Sequence, residues 1–110
     1  MTPEQIEQSV YNDLLNFDWE SEKSITAASA NAQFLFEAHL NFFYVPATGV
    51  FFSVKREGNY YHGYETVVNK CTKSDVLNIA SQQLDYAHSL RLADNVIAYW
   101  ADIHNKISKY

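Results

Sequence analysis

The sequence predicts an α+β fold: an N-terminal helix, an antiparallel sheet of three to four strands in meander order, and two C-terminal helices, or one bent helix, packed on one face. Three observations lead there. Apolar residues recur at helical spacing near both termini, they alternate with period two in the middle, and turn residues punctuate only the middle. Helix, then strands, then helices is the order of an α+β domain.

Thr2-Pro3-Glu4-Gln5 reads as a helix start, with Thr2 as cap, Pro3 in the first turn and Gln5 closing a capping box. Ile6, Val10, Leu14 and Phe17, widened by Tyr11 and Leu15, form an apolar stripe, which predicts a helix over residues 3–18. Trp19 to Glu22 read as a loop, and Ile25 to Ala32 as a strand or extended lead-in. From Gln33 the period becomes two. Phe34, Phe36, Ala38, Leu40, Phe42 and Tyr44 share one face of a single long strand.

Pro46-Ala47-Thr48-Gly49 breaks that strand, and Val50 to Arg56 resumes it. A three-residue loop with Gly49 left-handed sets Tyr44 opposite Phe52 and Phe42 opposite Val54, apolar against apolar. A four-residue loop pairs Phe42 with Ser53 and Leu40 with Lys55, and is disfavoured on that ground. Gly58-Asn59 marks the next turn, before a strand from Tyr60 to Val68. Its register is set by keeping Glu65 off the core side, which turns His62, Tyr64 and Thr66 inward. Residues 73–109 return to helical spacing. Val76, Ile79, Ala80, Leu84 and Ala87 form one stripe, and Leu92, Val96, Tyr99, Trp100, Ile103 and Ile107 a second, out of phase near Ser89 to Leu92.

Composition limits the function. At 110 residues, 47% of them apolar, the chain suits one domain spanning residues 1–110 with a core of its own. Eight tyrosines, seven phenylalanines and two tryptophans supply much of that core. A lone Cys71 excludes an intrachain disulfide and a Cys-x-x-Cys pair. A polar start and the absence of a long apolar run point to a cytoplasmic protein with no membrane association. Of thirteen acidic residues, six (Glu4, Glu7, Asp13, Asp18, Glu20 and Glu22) fall in residues 1–22, where there is no Lys or Arg. The remainder carries eight basic against seven acidic residues. That balance disfavours nucleic acid and suits a basic protein partner.

Motif chemistry is sparse. The sequence has no Gly-rich phosphate loop, no H-E-x-x-H and no G-x-S-x-G, and no cofactor is expected. In the three-residue-loop register His39 faces Glu57, a pairing able to serve as a general base but more often a solvated sheet face. Asp85 and His88, one helical turn apart, read as a surface ion pair rather than a metal site. The stretch Tyr60-Tyr61-His62-Gly63-Tyr64 places tyrosines on both faces of one strand, so some must be exposed, as in protein interfaces. The expected function is therefore a non-catalytic protein-binding module of inhibitor, immunity or adaptor type, self-associating as a homodimer. It would act through Glu7, Asp13 and Asp18 with Tyr60, Tyr61 and Tyr64. The alternative is a small-molecule site or enzyme between sheet and helices, using His39, Glu57 and His62.

Overall fold

In a computed structural model the chain forms an N-terminal helix, a four-stranded antiparallel meander and two C-terminal helices. The structure describes residues 1–21, 24–59, 61 and 63–110. They fall into two compact units, residues 1–71 and 72–110.

The first unit begins with α1 (Pro3–Asn16). Its capping box is the one the sequence spells: Gln5 N donates to Thr2 Oγ1 at 3.2 Å, and Thr2 N donates to Gln5 Oε1 at 2.9 Å. The helix stops at Asn16 because Phe17 turns extended. Trp19 Nε1 then donates to the Leu14 carbonyl at 3.0 Å, satisfying an acceptor that the helix end leaves open. The following segment is a 3-10 turn at Ile25–Ala27, not the extended lead-in expected. Its sequel Ala28-Ser29 is buried, and Ser29 Oγ donates to Asp13 Oδ2 at 2.8 Å. Small residues and a hydroxyl let this segment lie close to α1, a reason that strand propensity does not carry.

The single long strand expected from Gln33 is instead a hairpin, β1 (Gln33–Ala38) and β2 (Leu40–Val45), reversing at His39 with φ 64°. A bulge at Leu35 also breaks the shared face expected of the strand. Phe34 pairs with Phe43 but Phe36 pairs with Phe42, so residues that alternate in sequence lie on opposite faces. The rings of each pair are in contact, edge to face with centroids 5.5 Å apart for Phe34–Phe43 and tilted at 4.8 Å for Phe36–Phe42.

β3 (Val50–Asn59) follows a four-residue loop, Pro46 to Gly49, rather than the three-residue loop expected. Gly49 takes φ 76° and donates its N–H to the Val45 carbonyl at 2.8 Å. Val45 pairs with Val50, Phe43 with Phe52 and Phe42 with Ser53. The expectation failed because β2 is apolar on both faces: Phe42, Phe43 and Val45 are all buried, so matching apolar residues on one face does not select the register.

β4 (Gly63–Cys71) completes the meander. One core unites Val10 and Leu14 of α1, Ala28 and Ala32, and Phe43, Val45, Phe52, Val54 and Val68 of the sheet. Val68 thus confirms the parity chosen for the last strand, and Thr66 is half-buried. Tyr64, however, is exposed, because it shares that face beyond the reach of the core; His62 lies outside the described residues.

The second unit is an αα-hairpin of α2 (Lys73–Ser89) and α3 (Asp94–Ser108). Two helices, not one bent helix, account for the phase break. Thr72 and Asp75 form a capping box at the start of α2, with both bonds 3.1 Å long. Its end is a Schellman motif: Leu92 N donates to the Ala87 carbonyl and Arg91 N to the His88 carbonyl, while Arg91 sits at φ 51°. Glycine usually fills that left-handed position, and its absence hid the turn in the sequence. Lys73 Nζ donates to the Ser108 carbonyl at 2.8 Å, setting a cation at the C-terminal end of α3.

Candidate functional site

The β3–β4 ribbon changes character along its length. β2 pairing reaches Val54 and goes no further. From Lys55↔Val67 to Asn59↔Gly63, β3 and β4 pair with each other past that point and form a two-stranded arm. An isolated two-stranded ribbon is only marginally stable in water, so an extended one is suited to a role other than core building.

The arm's residues are held in a local order. Tyr64 lies opposite Gly58, and a Cβ on Gly58 would stand 3.0 Å from its ring, so the ring covers the glycine. The Arg56 guanidinium lies 5.4 Å from the centre of the same ring, a cation–π contact. Tyr64 is nonetheless 66% exposed and Tyr61 85%. On the other face Glu57 stands opposite Glu65, a repulsive cross-strand pair eased by Lys55 Nζ, 3.1 Å from Glu57.

α1 is fastened along the same ribbon by two ion pairs from the acidic segment. Glu7 meets Lys70 at 2.9 Å near its start, and Glu20, after its end, meets Arg56 at 3.5 Å. Two of the six N-terminal carboxylates therefore already face cations of this chain. Of the others, Asp13 accepts from Ser29 Oγ, and Asp18 Oδ1 accepts from Glu20 N at 3.3 Å. Glu4 has no ion pair among the described residues.

Two grooves border α1. One, of about 320 Å³, is lined by Glu4, Glu7, Gln8 and Tyr11 together with Phe52, Val68 and Lys70. The other, of about 350 Å³, lies beside Asn12, Asp13, Asn16, Phe17 and Asp18. The structure thus brings Asp13 and Asp18 together and places Glu7 in the other groove. Tyr61 and Tyr64 lie on the arm, while Tyr60 lies outside the described residues.

The polar constellation of His39 and Glu57 does not form as expected. His39 is an exposed bend residue, and Asn41 lies opposite Val54, not Lys55. The four-residue loop shifts the register by one position, which removes the facing of His39 on Glu57. His62, the third residue of that set, lies outside the described residues. Asp85 and His88 form no ion pair within 4.0 Å, and among the described residues no group of three or more His, Cys, Asp or Glu is able to hold a metal ion. No helix among the described residues is long and apolar enough to cross a membrane.

Sequence reasoning singled out the tyrosines and gave Arg56 and Lys70 no place in a site. The signal was available: they are two of the few cations on the strands, both at even positions of the ribbon like Val54 and Val68. Comparison with family models, curated proteins and solved structures returns no match to this chain.

Proposed function

We propose that the protein is a non-catalytic protein-binding module, of inhibitor, immunity or adaptor type, whose contact surface is the β3–β4 arm together with the acidic residues Asp13 and Asp18 of the groove beside α1. The observation that carries this reading is the arm itself, paired past β2 only between its own strands and presenting Tyr61 and Tyr64 to solvent. Tyrosine and arginine are the residues that anchor protein interfaces, because they bury a large area and keep a polar tip. The partner's complementary surface is basic, to meet Asp13 and Asp18.

The test is capture from an extract of the source cells on immobilised protein, comparing the native chain with Tyr61→Ala/Tyr64→Ala and with Asp13→Lys/Asp18→Lys. A partner held by the native chain and lost from both variants supports the reading. Equal capture by all three chains overturns it.

A homodimer is a second reading, favoured by one observation on the second unit: Tyr86, Leu90, Leu92 and Tyr99 are exposed. Light scattering on a size-exclusion column at tens of micromolar decides it, and a monomeric mass removes it. The pocket reading through His39, Glu57 and His62 has less support, since the register separates the first two.

A further inference from the structure

The groove between α1 and the base of the ribbon combines an apolar floor with a sheltered charge. Phe52 and Val68 form the floor, 1% and 6% exposed. Tyr11 supplies an aromatic wall, and Glu4, Glu7 and Lys70 line the rest. The Glu7 side chain is 14% exposed, yet the Lys70 side chain that neutralises it is 60% exposed. Its lining has two carboxylates against one ammonium, so the groove as a whole is short of positive charge. At about 320 Å³ it lies at the lower end of the ligand-pocket range of about 300–1,000 Å³, too small for a large cofactor and suited to one long side chain.

We infer that this groove takes a single arginine side chain of the basic partner, which displaces Lys70 from Glu7. The inference rests on the protein-binding reading above and names the chemistry by which that partner is recognised. The alkyl stem lies over Phe52 and Val68, as long charged side chains do on apolar surface. The guanidinium reaches Glu7 and Glu4, which stand one turn apart on α1, and stacks toward Tyr11. Arginine suits the groove better than lysine because its planar fork serves two carboxylate oxygens at once and stacks on aromatic rings. Lys70 is the internal cation that holds the site until then. The Lys70 end of the pair is 60% exposed, so the displaced ammonium returns to water while the sheltered Glu7 carboxylate keeps a cationic partner.

The experiment is a titration of the isotope-labelled full chain with N-acetyl-arginine methylamide, followed by amide NMR. The lysine analogue and the uncharged citrulline analogue serve as further probes. The expected result is saturable shifts at Glu7, Tyr11, Val68 and Lys70 with arginine, weaker binding of lysine, and no saturable response to citrulline. Lys70→Ala strengthens arginine binding by about two- to fivefold, since it removes the competing cation. Glu7→Gln weakens it by about tenfold or more, with Glu4→Gln as the second variant should Glu7→Gln fail to give a folded spectrum. Equal responses to arginine and citrulline, non-saturating shifts, or weaker binding to Lys70→Ala overturn the inference. Failure here, with partner capture still lost from the tyrosine variant, removes the arginine site and leaves the binding module standing.

Discussion

The base and the arm of the β3–β4 ribbon are the same two strands under two different regimes. At the base, Phe52, Val54 and Val68 are buried beneath α1 and beside β2. On the arm, Lys55, Glu57, Gly58, Gly63, Tyr64 and Glu65 are all exposed. Burial holds the base, while the arm is held by backbone pairing, one ring on a glycine and a few ion pairs. The difference teaches that the residues free to serve recognition are those whose loss the fold tolerates.

The sharpest way to break this contrast is substitution at the base. Phe52→Ala is expected to cost about 3–5 kcal/mol in urea unfolding, through lost burial and the cavity it leaves. A loss of the same size at Tyr61→Ala or Tyr64→Ala would erase the distinction between base and arm. Hydrogen exchange sharpens it without mutation. Amides of Phe52 and Val54 should open only with energies near that of global unfolding, and those of Glu57 and Glu65 by far cheaper local opening.

Smaller effects test the arm's own interactions. Glu65→Lys converts the repulsive pair with Glu57 into an attractive one and should stabilise the fold, or slow exchange on the arm, by about 0.2–1 kcal/mol. No change would mean that Lys55 already cancels the repulsion. Tyr61→Ala is expected to leave stability within about 0.5 kcal/mol of native, as an exposed turn residue should. The same variant is expected to lose partner capture, and that separation of stability from binding is the contrast in its clearest form.

Much of this was legible in the residues. Thr2-Pro3-Glu4-Gln5 specified the start of α1 because a capping box is local chemistry, and the apolar stripe of Ile6, Val10 and Leu14 specified the face it buries. The meander and a helical C-terminal region, left as two helices or one bent helix, followed from a change of period. Other features did not follow, the 3-10 turn at Ile25–Ala27 among them. His39 and Arg91 reverse the chain in left-handed conformations that favour glycine, so neither reversal carried its usual signal. The loop at Pro46 to Gly49 took the longer form because β2 is apolar on both sides.

Of the candidate site, the sequence named Tyr61, Tyr64 and the acidic residues, but not their grouping. That Glu7 meets Lys70 and Glu20 meets Arg56, 63 and 36 positions away by residue number, is a product of the folded arrangement. The sequence by itself determined the order of helical and strand regions and the caps that start α1 and α2, since capping and periodicity act over a few neighbouring residues. Only the tertiary structure decided the strand register, the fastening of α1 to the ribbon and the extension of the arm past β2. Those depend on which distant surfaces meet, and a buried face or an ion pair exists only once they do.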